Sequence, residues 1–287
     1  MQNKIRRECR AVETTLEVLV AAMYQTDFSL VEKMNIKADA VIANQYDYGE
    51  IKEKNSFGNR ILMVSTATRG VGKNRNLCLL FSSADILLFA DQDVVYVDNM
   101  PDIVCKAFNE NKNADVILFG FHLSKGGKVY ETRCPKNGRI PFLKSLKYGT
   151  YSVAVRRRLI LQKNIMFTEL FGGGCPYSHG EDSDFIVRCF KSGLKVYGCN
   201  QIIGCTAKDV STCFEGYREK YFFDTGALAR NTFGMLSPFY ILYMAIRTRG
   251  LTDISIQGKL KLMIEGYRGF QNGKIYNSNN SLMEVKK

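Results

Sequence analysis

Short apolar segments alternate with segments of helical spacing in the first part of the chain. The segment 85–90 is almost wholly apolar, which is typical of a central strand covered on both faces. Strands that alternate with helices predict an α/β protein with a mainly parallel, doubly wound sheet. The predicted strands are 16–22, 38–43, 61–65, 85–90 and 115–121, and the predicted helices are 27–34, 71–82 and 98–109.

The pattern changes after residue 123. Two glycines, at 126 and 127, predict a hairpin turn between strands 116–123 and 129–133. Further strands are expected at 151–155 and 195–199, with a helix at 181–191 between them. From about residue 217 the chain has no more strand-like segments and is predicted to be mostly helical.

The composition is that of a globular protein. Of the 287 residues, 46% are hydrophobic and 24% are charged, which excludes a disordered or fibrous chain. The 40 lysines and arginines outnumber the 28 aspartates and glutamates, so the net charge is +12. Such an excess favours an anionic partner: a nucleotide, a nucleic acid or an acidic membrane surface.

Nine cysteines raise the question of disulfides or a metal site. Their number is odd, no Cys-x-x-Cys pair occurs, and Cys199, Cys205 and Cys213 lack the spacing of zinc ligands. We therefore expect reduced, mostly buried thiols. The charged segment 1–17 has no secretory hydrophobic region, which also favours a cytoplasmic location.

The segment 235–246 is very apolar for a surface helix, yet it is shorter than the roughly 18 residues that a spanning helix needs. Arg247 and Arg249 follow it. This combination is typical of an interfacial helix, so the anionic inner face of the cell membrane is a candidate partner. The alternative is a helix packed on the rest of the chain, or a dimer contact. The arginines 156–158 leave a similar choice between a contact with lipid or acceptor phosphate and a solvated helix start.

Two carboxylates, Asp91 and Asp93, directly follow the apolar strand at 85–90. Ligands of open α/β sheets bind beyond the carboxyl ends of the strands. Where the chain leaves the strand, alternate carboxylates can converge on one ligand. Hard oxygen ligands of this kind suit Mg²⁺ or Mn²⁺, which in turn hold phosphate oxygens.

A glycine turn with Gly70 and Gly72 opens a basic helix that contains Lys73 and Arg75. Free N–H groups at a helix start attract phosphates, and a solvated basic first turn is the alternative. The segment is no Walker P-loop, because Asn74 follows the lysine. It is no dinucleotide fingerprint either, since Arg75 stands where the third glycine belongs.

A glycine run at 172–174 precedes a helix whose first turn is acidic, with Glu181, Asp182 and Asp184. Compensation of the helix dipole explains some of these carboxylates. It does not explain the glycine run beside them. A carboxylate that acts as general base at a loop-to-helix junction is the functional interpretation.

Together the three segments resemble the family 2 glycosyltransferases. Arg69 to Asn76, followed by Asp91-Gln92-Asp93, is similar to the basic helix and the Asp-x-Asp strand end of that family. Gly180-Glu181-Asp182 is similar to its Glu-Asp base motif. The resemblance covers about residues 14–235 and is greatest to bacterial enzymes of capsule or surface-polysaccharide synthesis.

The resemblance implies a GT-A fold that binds a nucleotide sugar, most simply a UDP-sugar, with Mg²⁺ or Mn²⁺ as cofactor. It implies that Asp93 binds the metal and that Asp91 contacts ribose or a metal-bound water. Arg75 would bind the diphosphate or the base. Asp182 would take the proton from the acceptor hydroxyl, with Glu181 as the alternative base and inversion at the sugar carbon. The acceptor would be a glycan or a lipid-linked glycan.

The chain departs from the family at its nucleobase end. Where many relatives have a proline-containing motif, this chain has Tyr24 near the end of its first strand. Gln45 and Asp47 stand where relatives carry an acidic pair, and they are candidates for the base contacts. Lys208, in a segment similar to the one that closes the site of relatives, is a candidate for a diphosphate contact or an ordinary surface lysine. We expect His179 to be a hydrogen-bonding neighbour.

These observations predict a catalytic GT-A domain at 1–235, with a nucleotide-sugar half at about 14–123 and an acceptor half at about 124–235. A helical region, 236–287, would follow, with membrane association as one of the alternatives given above. One rival is a nucleotidyltransferase of similar fold. The other is a basic nucleic-acid-binding protein, although the sequence has no recognised nucleic-acid motif and we expect no nucleic-acid partner.

Overall fold

The computed structural model describes residues 14–206 and 216–276, together with the backbone of 283–284. The strands are β1 Leu16–Met23, β2 Asp39–Gln45, β3 Glu50–Ser56, β4 Asn59–Thr66, β5 Ile86–Asp91, β6 Val94–Tyr96, β7 Val116–Lys125, β8 Lys128–Arg133, β9 Gly138–Arg139, β10 Val153–Arg156, β11 Val196–Thr206, β12 Lys274–Ile275 and β13 Met283–Glu284. The helices are α1 Ser29–Lys33, α2 Val71–Phe81, α3 Met100–Glu110, α4 Phe142–Ser145, α5 Arg157–Gln162, α6 Glu181–Lys191, α7 Glu219–Leu228, α8 Ser237–Arg247 and α9 Ile256–Gln271.

One sheet of eleven strands forms the centre of the molecule, in the order β3-β4-β2-β1-β5-β10-β7-β11-β6, with β8 on β7 and β9 on β11. Strands β4, β2, β1 and β5 are parallel, so their carboxyl ends lie along one edge of the sheet. β7 and β11 are also parallel, but β10 lies antiparallel between β5 and β7. The predicted mainly parallel sheet is therefore mixed, because β10 runs against both of its neighbours and β3, β6, β8 and β9 also pair antiparallel.

Alternate residues of β1 face two different hydrophobic clusters. Val18 and Val20 pack with α1 and α3 on one face, whereas Leu19 packs with α2, α5 and α6 on the other. β5 is buried up to Ala90 and becomes partly exposed at Asp91. The sheet is therefore covered on both faces, as the apolar segment at 85–90 predicts, and it opens to solvent where the first carboxylate stands.

The C-terminal helices form a separate layer with a hydrophobic cluster of its own. α7 packs closely on α9, because Gly226 lies against the backbone of Met263 and Gly266 lies against the backbone of Phe223. A side chain at either glycine would collide with the facing helix. The helical layer begins with α7 at Glu219, close to residue 217, from which the sequence predicts a mostly helical chain.

The sequence pattern does not reveal β3, α4 or α5. β3 is an edge strand with no buried residue, so it lacks the apolar signal of the other strands. Within the described parts of the chain, no helix is long and apolar enough to cross a membrane. All seven described cysteines are free thiols, but only Cys78 and Cys189 are buried, which corrects the expectation that most are buried.

Candidate active site

The Asp91-Gln92-Asp93 turn is held at the carboxyl end of β1. Gln92 Oε1 accepts hydrogen bonds from the backbone N–H of Met23 at 2.9 Å and from Gln25 Nε2 at 3.3 Å. The chain then turns back as β6, which pairs antiparallel with β11. Asp91 and Asp93 both line one large cleft. The middle residue of the motif thus fixes the turn, while the two carboxylates stand at the cleft.

Arg75 gathers three carboxylates at the floor of this cleft. Its Nη2 donates to Asp91 Oδ1 at 2.8 Å. Its Nη1 donates to Asp182 Oδ1 at 3.0 Å and to Glu181 Oε1 at 3.2 Å. We call Asp91, Glu181 and Asp182 the carboxylate cluster. A fork of N–H donors that spreads to several acceptors is a property of arginine that lysine lacks.

The Arg75 side chain is only 2% exposed. Its guanidinium lies 5.2 Å from the centre of the Phe167 ring, and among the described residues its Nε has no hydrogen-bond partner. The three anions raise the pKa of Arg75 above its ordinary value, against the opposing effect of burial. Arg75 is thus a buried cation whose charge the carboxylate cluster neutralises. The alternative interpretation, a solvated basic turn, does not describe this residue. Its predicted contact with the diphosphate or the base stays a prediction.

The residues on either side of Arg75 fix helix α2 to the rest of the protein. Asn74 Nδ2 donates to the carbonyls of Ala22 and Ala43, each at 3.0 Å. Asn76 exchanges two hydrogen bonds with the backbone of Phe167. These side chains are buried although both are polar, so the sequence pattern did not mark them. They determine where the Arg75 guanidinium lies.

The start of α2 is closed by the protein itself. The N–H of Val71 donates to the carbonyl of Gly173 at 2.9 Å. The N–H of Gly70 donates to Gln45 Oε1 at 3.1 Å. These two N–H groups thus have partners within the protein, and phosphate binding at this helix start stays a prediction. Gln45, a candidate for the base contacts, is buried and supports the turn.

Glu181 is the most enclosed member of the carboxylate cluster, with 14% of its side chain exposed. Burial first, and then the neighbouring charge of Asp182, raises the pKa of Glu181 to about 7, while Arg75 acts in the opposite direction. A glycine run makes room for this side chain. A Cβ on Gly172, whose φ is +103°, would lie 2.7 Å from Glu181 Cδ and 2.6 Å from Val71 Cγ1.

Asp182 is more accessible, with 33% of its side chain exposed. Its Oδ1 accepts hydrogen bonds from Arg75 and from the hydroxyl of Thr150. It is the second residue of α6, which begins directly after Gly180, a residue with the left-handed φ of 110°. Acidic side chains are favoured in the first turn of a helix, because they face the positive end of the helix dipole. Thr150 precedes β10 and carries no sequence signal of its role.

His179 is a hydrogen-bonding neighbour, as the sequence suggested. Its ring nitrogens bond to Thr225 Oγ1 at 3.1 Å and to Ser178 Oγ at 3.3 Å, and its ring stacks on Tyr221 at 4.3 Å. Burial lowers the pKa of His179 to about 4, so the ring is neutral at pH 7. The buried Asp224 accepts from the N–H and hydroxyl of Ser178. These bonds fix the loop that leads into Glu181 and Asp182.

The predicted nucleobase end lies at the carboxyl ends of β1 and β2. Tyr24 is 57% exposed and adopts a positive φ of 54°. Arg69 lies over its ring at 5.5 Å and bonds to Asp47 at 3.0 Å and to the carbonyl of Tyr46 at 2.7 Å. Tyr24 and Asp47 thus share one exposed surface with Arg69, to which the sequence had assigned no role. Lys208 lies outside the described residues.

The cleft has a volume of about 2170 Å³ and extends from Asp93 across the carboxylate cluster to α4 and α8. Within the described residues, no group of three or more histidine, cysteine, aspartate or glutamate side chains is arranged to hold a metal ion. Mg²⁺ is commonly bound by one or two carboxylates together with phosphate oxygens of a substrate. Asp93 and Asp91 can supply the carboxylates of that donor set. The phosphate oxygens would have to come from a nucleotide, so a metal here would require the nucleotide.

The described residues have the GT-A fold, with a central sheet flanked by helices and the acidic turn at a strand end. A crystal structure of residues 1–349 of S. aureus TarS in complex with UDP-GlcNAc is similar, with a TM-score of 0.57 at 15% identity, over 90% of this chain and 72% of that one. The complex of the same fragment with UDP has a TM-score of 0.54 at 15% identity, over 93% and 74% of the two chains.

A longer structure of S. aureus TarS has a TM-score of 0.57 at 14% identity, and the alignment covers 84% of this chain but only 44% of TarS. TarS is a GT-A glycosyltransferase of family 2, so the resemblance drawn from the sequence motifs is confirmed at the level of the fold. No family model matches the sequence. No curated protein is significantly similar to it in sequence.

Proposed function

We propose that this protein is a glycosyltransferase that moves a sugar from a nucleotide-sugar donor, most simply a UDP-sugar, to an acceptor hydroxyl. The observation that supports it best is the meeting of two acidic motifs in one cleft. The Asp91-Gln92-Asp93 turn and the Glu181-Asp182 helix start are joined there through Arg75. A GT-A neighbour that binds UDP-GlcNAc and UDP supports the choice of donor.

The donor would lie across the carboxyl edge of the sheet. Its base would stack near Tyr24, within reach of Asp47 and Arg69, which form an exposed ion pair at 3.0 Å. Its diphosphate would lie at Asp91 and Asp93. When bound there with the nucleotide, Mg²⁺ or Mn²⁺ would neutralise the charge of the leaving diphosphate.

The acceptor hydroxyl would attack the anomeric carbon of the sugar from the side of the cleft where Asp182 lies. The new carbon–oxygen bond forms as the bond from that carbon to the diphosphate oxygen breaks, which inverts the carbon and releases the nucleoside diphosphate. Asp182 takes the proton of the attacking hydroxyl. Both hydrogen bonds that Asp182 receives from described residues end on Oδ1, which leaves Oδ2 for the acceptor.

Asp182 is the better candidate for the base than Glu181. It is more than twice as exposed, at 33% against 14% of the side chain. Burial and the neighbouring charge of Asp182 raise the pKa of Glu181, and its carboxyl lies against the glycine loop. We assign Glu181 to the support of Arg75 and Asp182. Arg75 is then a positioning residue, because it holds the carboxylates in a fixed arrangement.

Product analysis tests this function. The protein is incubated with UDP-GlcNAc, Mn²⁺ and mixed glycan acceptors, and the released species are separated by chromatography. A transferase releases UDP. A parallel incubation with UTP and GlcNAc 1-phosphate tests the rival nucleotidyltransferase, which would join the two and release pyrophosphate from UTP. Salt-sensitive binding of oligonucleotides without binding of UDP would favour the nucleic-acid-binding alternative.

A further inference from the structure

Helix α8 exposes an apolar face that no described part of the chain covers. The apolar residues of this face recur at intervals of three and four positions, and we call them the α8 face. Met235 is 94% exposed and Phe239 is 71% exposed, while neighbouring residues such as Ile241 and Met244 point into the helical layer. The six side chains of the α8 face are Phe239, Leu242, Tyr243 and Ile246 of α8, together with Met235 and Leu236 of the turn that precedes it.

The α8 face continues into the wall of the cleft. Leu236, Phe239 and Tyr243 line the cleft that holds Asp93 and Asp182. α4 also contributes to the lining of the cleft through Leu143, which is 79% exposed. The apolar surface therefore surrounds one end of the cleft and does not lie on an unrelated part of the protein.

Basic residues surround this apolar surface. Arg247 and Arg249 follow the α8 face, and Arg247 lies over the Tyr243 ring at 5.8 Å. Lys144 and Lys147 are exposed beside Leu143. No aspartate or glutamate stands between Asp224 and Asp253, or between Glu131 and Glu169. The two segments that border the opening are thus free of acidic residues.

We propose that the α8 face inserts into the surface of an anionic bilayer, with the surrounding basic residues against the lipid head groups. Aromatic and aliphatic side chains that project beside arginines and lysines are suited to such an interface. Docking would place the opening of the cleft at the membrane. If the protein has the proposed transferase function, its acceptor is then a lipid-linked, phosphate-bearing molecule.

Charge complementarity selects the bilayer over a second copy of the chain. A two-fold dimer through the α8 face would bring the same patch of both copies together. Arg247, Arg249 and Lys144 of one copy would then face the like charges of the other, which is unfavourable. An anionic bilayer supplies the opposite charge and an apolar interior at the same surface.

Vesicle sedimentation in the absence of nucleotide tests the docking. The protein is mixed with vesicles of phosphatidylcholine alone or with one third phosphatidylglycerol. We expect sedimentation with the anionic vesicles only, and release by 0.5 M salt, because ion attraction at a surface is screened at about this ionic strength. Equal binding to both vesicles, or binding to neither, would overturn the proposal.

Two matched pairs of substitutions locate the surface. Leu242→Ser with Ile246→Ser removes apolar contacts of the α8 face, and neither residue lines the cleft. Leu80→Ser with Ile51→Ser changes the same residue types at exposed positions elsewhere. The α8 pair should weaken vesicle binding at least tenfold, and the control pair should bind as the wild type does. Equal loss in both pairs would overturn the location.

Light scattering of the lipid-free protein measures its oligomeric state and so tests whether the α8 face forms a dimer. We expect a monomer at micromolar concentration, and a dimer that the α8 pair dissociates would overturn the proposal. Thermal melting of each variant verifies that it is folded. UDP binding by the wild type, measured without vesicles, tests the transferase function separately. Failure of docking and failure of the proposed function are therefore distinguishable.

Discussion

Arg75 and Asp182 are 107 residues apart in the chain, yet the Arg75 Nη1 lies 3.0 Å from the Asp182 Oδ1. The same guanidinium holds Asp91 at 2.8 Å. One buried cation thus connects the strand-end acidic turn to the start of helix α6. This connection turns two separate acidic motifs into one site.

Replacement of Arg75 should destabilise the fold as well as the site. Arg75→Met leaves three carboxylates together without their counter-ion, and breaking a buried pair in this way typically costs about 3–5 kcal/mol. Urea unfolding at pH 7.5 measures the loss. Lys73→Met, at an exposed position of the same helix, is the control and should change stability by less than about 0.5 kcal/mol. Equal stability of the two variants would contradict the role of Arg75.

The raised pKa of Glu181 predicts how one variant responds to pH. Between the ordinary value of 4.5 and the folded value of about 7, the folded protein binds more protons at Glu181 than the unfolded chain does. The contribution of Glu181 to stability is thus present below pH 4.5 and is lost as the pH rises through 7. Glu181→Gln, which stays neutral, should gain stability relative to the wild type between pH 5 and pH 8.

Urea unfolding of both proteins at pH 5, 6.5 and 8 checks this result. The low pKa of His179 has the opposite effect on the pH dependence of stability. The contribution of His179 to stability is lost as the pH falls through 6.5 towards 4. That contribution is present in both proteins, so the difference between them reports Glu181. A difference that is independent of pH would show that Glu181 does not titrate in this range.

The choice of base is tested by turnover. Asp182→Asn keeps the size of the side chain but removes its basicity, and general-base catalysis is typically worth about 10²–10⁴-fold. We expect turnover to fall by roughly that factor while the affinity for UDP-GlcNAc stays near the wild-type value. Glu181→Gln should lower turnover much less. If Glu181→Gln is inactive and Asp182→Asn is active, Glu181 is the base and Asp182 is not.

The glycine run is tested at Gly172. Alanine there combines a strained φ of +103° with contacts of 2.6 Å to Val71 and 2.7 Å to Glu181. Gly138 has nearly the same φ, +101°, but nothing within 4 Å of an added Cβ. Both substitutions carry a backbone strain of about 1–3 kcal/mol. Only Gly172→Ala adds the close contacts, so it should lose more stability than Gly138→Ala. Equal midpoints in urea would show that the close approach has no energetic consequence.

Much of the fold follows from local patterns in the sequence. Helix α6 begins and ends at the predicted residues, and β1, β5 and α2 lie within one or two residues of their predicted bounds. Edge strand β3 was missed because it has no buried residue and therefore no apolar pattern. The antiparallel insertion of β10 was missed because its direction depends on the path of the chain, which residue spacing does not encode.

The site was predictable in its residues but not in their connections. The two acidic motifs and Arg75 were all selected from the sequence. That Arg75 is buried and binds Asp91, Glu181 and Asp182 depends on contacts between distant segments, which no local spacing reveals. Arg69 and Gln92 were not singled out for the same reason: their contacts are with groups far away in sequence, namely Asp47 and the backbone of Met23.

The central claim is that the cleft binds a nucleoside diphosphate through a metal at Asp93. Calorimetric titration of UDP in the presence and absence of Mn²⁺ measures it most directly, with the wild type and Asp93→Ala side by side. We expect metal-dependent binding by the wild type and none by Asp93→Ala, whose melting temperature should be unchanged because a partly exposed strand-end carboxylate adds little to the core. A wild type that fails to bind UDP with Mn²⁺, or an Asp93→Ala that binds it as tightly, would contradict the account.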